Sequence, residues 1–382
     1  MAREIIIVSG AIGRACIGGK AWVYMQYLLG LQRLGFEVYY LEDCGQGSWV
    51  YNWETEETTT DLEYPAAYIQ SCLEPIGLGE RWIYRAGDHS LGIPLSVFQD
   101  ICKEALLLII LADPVTVWRK EYDLPVQRAF IDVDPGFTQF GLANGTSPLI
   151  ETVAHCDRHF TIGQNIGNKD CRIPSAGYDW LKLMPPISLP DWPFADNNST
   201  TDFSSVMDWR GFHDVEYEGQ IYGQKDREFP KYLDLPVISG QTFNLAQMGG
   251  DEKLLEKHGW NVVPGWIPSA TPWSYRDYIQ KSRAEFSVAK HGYVESRGGW
   301  ISDRSVCYLA SGRPVLVQDT GQADCLSIGE GMLTFSNLAE AKKGLESIIA
   351  DYDLHRRAAR SLAEQYFDAE KVLPPFLQAS LA

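Results

Sequence analysis

Two doubly wound, Rossmann-like α/β domains in succession, with a cleft between them, are the fold this sequence predicts. Three stretches carry the prediction. Ile5–Val8 is a short apolar run that ends in Ser9-Gly10 and opens a glycine-rich loop, followed by a helical pattern and a second apolar run. Residues 286–317 repeat the order of strand, glycine-rich loop, helix and strand. Between them, the prolines of 185–193 and the polar run 195–202 have the composition of a linker.

Length supports two units, since 382 residues is long for a single core. The boundaries expected are 1–194 for the first domain and 203–355 for the second. A C-terminal segment, 356–382, is expected to pack back on the first. With 45% hydrophobic and 22% charged residues the chain belongs among globular proteins. Its net charge of −17 argues against nucleic acid as the main partner, because neutralising phosphates takes clustered Lys and Arg. The longest apolar run, Ala105–Ala112, falls far short of the about 20 residues that span a bilayer. MAREIIIVSG leads straight into a strand without the features of a signal peptide, so a cytoplasmic location is expected. The eight cysteines stand singly and make no C-x-x-C pair, which fits reduced thiols better than a disulfide frame or a zinc site.

Taken in order, the loop after Ile5–Val8 carries Gly10, Gly13, Gly18 and Gly19. A helix is expected from about Lys20 to Leu34, with Trp22, Met25, Leu28, Leu29 and Leu31 on its apolar side and Gly35 as its stop. Phe36–Leu41 reads as the second strand, and Leu107–Leu111, Gln127–Val133 and His159–Ile162 as further ones. Past the linker the strand candidates are Phe203–Met207, Pro236–Ser239, Asn261–Val263, Phe286–Ala289, Pro314–Val317 and Met332–Phe335. Residues 340–368 carry Ala, Leu and Arg at helical spacing.

The helix from Ser302 to Gly312 is the informative one. Its N-terminus faces the open end of a parallel sheet, where free N–H groups and about half a positive charge favour a phosphate. Before it stands Gly299-Trp300-Ile301-Ser302, and after it the step Gly312-Arg313-Pro314 into the next strand. In these motifs, and in the N-terminal run IGGKAWVYMQYLLGLQRLGFEVYYLED, the chain resembles the GT-B glycosyltransferase superfamily, in a branch similar to its families 1 and 4. The resemblance implies a nucleotide diphosphate sugar held by the second domain and an acceptor (a small molecule, a lipid or a glycan) held by the first. It implies transfer without a metal and with no cofactor beyond the donor. It places Gln318-Asp319-Thr320 where the superfamily holds the hydroxyls of the donor sugar. One departure limits it: the superfamily carries a ribose-binding Glu in mid-helix, and here the region reads Ser305-Val306-Cys307. Asp303, one turn earlier, is the substitute on offer.

Each candidate has a bland alternative. Ser302 touches the diphosphate or simply caps its helix. Asp303 binds ribose or sugar, or only complements the helix dipole. Lys290 and Arg304 neutralise the leaving diphosphate or make ordinary salt bridges. His291 donates to a phosphate or a sugar hydroxyl, or is structural. Asp319 and Thr320 accept sugar hydroxyls or shape a turn. The loop of Gly10–Gly19 lets backbone approach a ligand closely, and Gly13 is assigned to the donor.

On the acceptor side, Asp132 and Asp134 in F-I-D-V-D-P-G could share one face of a strand. The spacing invites a metal, but a catalytic role fits better, with Asp134 or Asp132 as general base if burial raises its pKa. His155 and His159 are weaker base candidates. Rival readings are a sugar-nucleotide epimerase of the same fold, an NAD-dependent oxidoreductase using the first loop with Glu42 or Asp43, and a non-catalytic binding module. A homodimer is compatible with the sequence.

Overall fold

The computed structural model describes residues 4–53, 55–111, 115, 117–195, 200–211 and 213–382. Ala112 and residues 196–199 of the expected linker therefore lie outside the described residues.

Two sheets organise the chain. The first has eight strands, in the order Trp180–Lys182, Arg158–Thr161, Gln127–Asp132, Ala105–Leu111, Ile5–Ser9, Glu37–Asp43, Trp82–Ala86 and His89–Gly92. Only the last pairs antiparallel. At its centre Ile5–Ser9 pairs with both Glu37–Asp43 and Ala105–Leu111. Ile6, Ile7, Val8 and Leu107–Leu111 are buried, as strands covered on both faces must be. The second sheet has six parallel strands, ordered Asn261–Pro264, Phe243–Met248, Phe203–Asp208, Ala284–Ser287, Val315–Gln318 and Met332–Phe335. Its core is aromatic: Phe286 stacks on Phe335 at 5.2 Å, and Phe243 packs edge-on to Phe286 at 5.6 Å.

One expected strand is a helix. Leu235–Ser239 is helical, with Pro236 in its first turn and Gly240 ending it at φ 65°. Proline lacks the N–H that an inner strand needs, but the first helical turn does not use that donor. The strand belongs instead to Phe243–Met248, which pairs along its whole length with Phe203–Asp208. The loop expected over 290–301 also contains a short helix, His291–Ser296. Residues 340–368 divide into Leu338–Ala350 and Tyr352–Leu362, where Asp351 caps the second by accepting from the Leu354 N–H at 3.2 Å.

The two sheets meet through packed side chains. Trp22, on the helix Gly18–Arg33, lies edge-on to Trp192 at 5.0 Å and to Trp273 at 5.6 Å. Its indole N–H donates to the Pro272 carbonyl at 2.6 Å. Gly18 is required here, because a Cβ would overlap the Thr271 carbonyl. The C-terminal helix Ala369–Leu381 lies on the other end of Gly18–Arg33, where a Cβ on Gly30 would come within 2.5 Å of Leu373. All eight cysteines are free thiols, and no helix among the described residues is long and apolar enough to cross a membrane.

Candidate functional site

A cleft of about 1350 Å³, open to solvent, lies where the C-terminal ends of both sheets face each other. Parallel sheets bind ligands at such ends, because loops and helix N-termini converge there. The first domain contributes Gly19 and Lys20 from the start of helix Gly18–Arg33, and Asp134 from the turn after Gln127–Asp132. The second contributes Asp208 at a strand end, Lys225, Lys290, and Ser302 with Asp303 at the start of helix Asp303–Ala310.

Lys225 is the least expected of these. Its residue is only 5% exposed, yet it lines the cleft, and its ammonium makes no hydrogen bond or ion pair with any described residue. Burial, with Arg304 and Lys290 nearby, holds its ammonium well below the usual lysine range. Asp208 and Glu285 act on it only through space, and a desolvated cation without an ion pair is costly, so the site favours an anion from outside. Asp208 opens to the cleft. The enclosing walls raise its carboxyl above the ordinary range, against the pull of Lys225, Lys290 and Lys20.

Ser302 stands at the N-cap position of its helix, but its hydroxyl makes no capping bond. The plain capping role expected for it is not realised, and the first-turn N–H groups have no side-chain cap. Asp303 lines the same end of the cleft, and burial raises its carboxyl despite Arg304 and Lys20. A carboxyl shifted toward its neutral form repels an anion less.

Other candidates are committed elsewhere. The Arg304 guanidinium donates to Glu285 Oε1 at 2.6 Å, to the Val206 carbonyl at 2.7 Å and to Ser287 Oγ at 2.5 Å. It fixes the strand ends and keeps little capacity for a phosphate. Lys290 Nζ lies 3.0 Å from Asp134 Oδ1, which also accepts from the Tyr293 hydroxyl. Despite burial, Lys290, Lys20 and the Tyr293 hydroxyl hold Asp134 below its ordinary range. The raised pKa that a general base requires is thus absent, and Asp134 instead ties the first domain to the second. Asp132 is raised by burial, but its oxygens accept from Thr138, Gln139 and Thr161, and it does not line the cleft. In this structure both carboxylates are thus occupied by donors of the protein.

Asp319 accepts from its own turn at Gly321 N–H and pairs with Arg297 at 3.3 Å, while the Thr320 hydroxyl donates to the Trp300 carbonyl. Neither lines the cleft. His291 Nδ1 accepts from the Gly223 N–H at 3.3 Å and is likewise outside it. The Gly13 N–H is spent on Glu42 Oε2 at 2.9 Å, and the Arg14 N–H on Glu42 Oε1 at 2.6 Å. That carboxylate closes the first loop on itself, which removes it from the ribose contact an NAD reading needs. His155 stacks on Trp118 at 4.5 Å and His159 contacts the Val153 carbonyl at 2.8 Å, both away from the cleft. Lys225 and Asp208 had no signal in the sequence. Lys20, following Gly18-Gly19 at a helix start, could have been found there.

No family model and no curated protein sequence matches the chain. Solved structures do. An α-glucosyltransferase in complex with UDP superposes with a TM-score of 0.61 at 10% identity, covering 100% of both chains. A sucrose-phosphate synthase from Thermosynechococcus elongatus reaches 0.55 at 12% identity, over 99% of this chain and 98% of that one. HepE from Anabaena, in complex with UDP and glucose, reaches 0.57 at 10% identity over 99% of each. The fold of this chain is GT-B.

Proposed function

We propose that this protein is a glycosyltransferase that moves a sugar from a nucleotide diphosphate donor to an acceptor hydroxyl. The observation that carries the reading is Lys225, a buried lysine that faces the cleft and has no ion pair with a described residue. It lies in one cleft with Lys290, the Ser302 hydroxyl and an uncapped helix N-terminus, a set of donors suited to a diphosphate. UDP in the structures of similar fold makes uracil the first base to test.

In this mechanism the acceptor oxygen attacks the anomeric carbon as the bond from that carbon to the phosphate oxygen breaks. The diphosphate leaves with the bonding electrons, and Lys225, Lys290 and the helix N–H groups stabilise the charge that develops on it. The acceptor proton passes to a carboxylate of the cleft. Asp208 suits this step better than Asp134, because its pKa is raised and its oxygens accept no bond from a described residue. Cations of the chain do the work a metal would do, and no cofactor beyond the donor is needed. The net charge of −17 favours an uncharged acceptor over nucleic acid.

A thermal-shift titration with UDP, GDP, dTDP and ADP sugars tests the reading. Donor at 100 times its dissociation constant stabilises by about 2.7 kcal/mol. Absence of a shift with every nucleotide refutes the proposal.

A further inference from the structure

Three aromatic rings at alternate positions, Trp49, Tyr51 and Trp53, lie on one edge of the first domain. Tyr51 lies within a short antiparallel hairpin, Val50–Asn52 with Glu57–Thr59, and Trp49 and Trp53 flank its first strand. Alternate residues of a strand share a face. Accordingly Tyr51 and Trp53 sit ring to ring, 4.6 Å apart and nearly perpendicular. Val50, on the other face, is buried. Trp49 is 73% exposed and Tyr51 40%, an unusual expense of apolar surface in water. The register puts Thr58 opposite Tyr51, so a hydroxyl stands beside the rings.

We propose that this hairpin is a carbohydrate-stacking platform and that the acceptor is a neutral glycan chain. Its role as acceptor site rests on the transfer reaction proposed above; glycan binding itself does not. Position links the hairpin to the cleft: the Trp53 indole N–H donates to the Ala15 carbonyl at 3.1 Å, and Ala15 lines the cleft wall. A chain laid across the rings would lie beside that wall of the cleft. The rings offer apolar faces to the C–H face of a sugar, and exposed Glu56, Glu57 and Asp61 offer acceptors to its hydroxyls. Those same acidic groups disfavour a nucleic acid or an anionic bilayer.

Calorimetric titration with linear neutral oligosaccharides of glucose, galactose and N-acetylglucosamine tests this on the full chain, with UDP-induced thermal shift measured in parallel. At least one oligosaccharide binds the native protein. Trp49→Ser weakens it about tenfold, the worth of one stacked ring, and Trp49→Ser with Tyr51→Ser abolishes it. The UDP shift stays unchanged in both variants. Trp49→Ser alone decides the matter if the double variant does not fold, since a side chain so exposed contributes little to folding. Binding of no oligosaccharide, equal binding by Trp49→Ser, or association with lipid vesicles in place of glycans overturns the proposal. Loss of the UDP shift in the native protein would count instead against the donor reading.

Discussion

Lys225→Met separates a ligand-binding lysine from a structural one, because the two roles predict opposite effects on stability. Methionine keeps an unbranched side chain of similar length and removes the charge. Lys225 is 5% exposed and has no ion pair with a described residue, and desolvation with the cations Arg304 and Lys290 outweighs the pull of Asp208 and Glu285 on its ammonium. Deleting a desolvated and unpaired charge should raise the stability of the ligand-free protein by about 1 kcal/mol or more. The donor response should fall at the same time. A hydrogen bond to a charged group contributes about 1.5–3 kcal/mol, so a loss of about 2 kcal/mol raises the UDP dissociation constant about thirtyfold. At a UDP concentration 100 times the native constant, the stabilisation then drops from about 2.7 to about 0.9 kcal/mol. Urea denaturation with and without UDP reads both quantities. A variant that is less stable without ligand and responds fully to UDP would refute the reasoning, because Lys225 would then be holding the fold.

Three further perturbations probe the surrounding charges and the domain contact. Asp134→Asn removes the carboxylate that holds Lys290 across the domains; unfolding should cost about 1 kcal/mol less, while calorimetry should show tighter UDP binding because a competing anion is gone. Weaker UDP binding would mean that Asp134 orients Lys290 rather than competing for it. Burial pushes Glu42 up to about 7 from 4.5, against the donors Tyr40, Gly13 and Arg14. A folded pKa raised above the unfolded one gives stability that is complete below about pH 4.5 and is lost as pH rises through 7. Denaturation between pH 5 and 8 should show that decline, by up to about 3 kcal/mol, and Glu42→Gln should lack it. Gly18→Ala drives a Cβ into the Thr271 carbonyl and should destabilise by about 1–3 kcal/mol in a melting experiment; a neutral result would show that the two domains can part at this contact without cost.

Much of the architecture was legible because its causes are local. Ile5–Val8 and Leu107–Leu111 are apolar without alternation, and a strand buried on both faces needs that pattern. The helix after Ser302 starts at Asp303 and stops at Ala310, just before Gly312 at φ 64°, close to the bounds its sequence predicts. The apolar residues around Pro236 suit a buried strand as well as a helix, so they do not decide between the two. The proline's missing N–H already argued for a helix start.

Composition, spacing and turn chemistry thus determined two parallel sheets, the loops at their open ends and a helix N-terminus fit for an anion. Which charges line the cleft at that helix end was decided by tertiary structure alone. Arg304, beside Ser302 in sequence, turns inward to Glu285, Val206 and Ser287. Lys225, in a short turn far from any recognisable motif, is brought to the cleft instead. Asp134 loses the properties of a base to a lysine 156 residues away. The physical reason is common to all three: hydrogen bonds, desolvation and Coulomb energy depend on distance in space and on exclusion of water, which adjacency along the chain does not set.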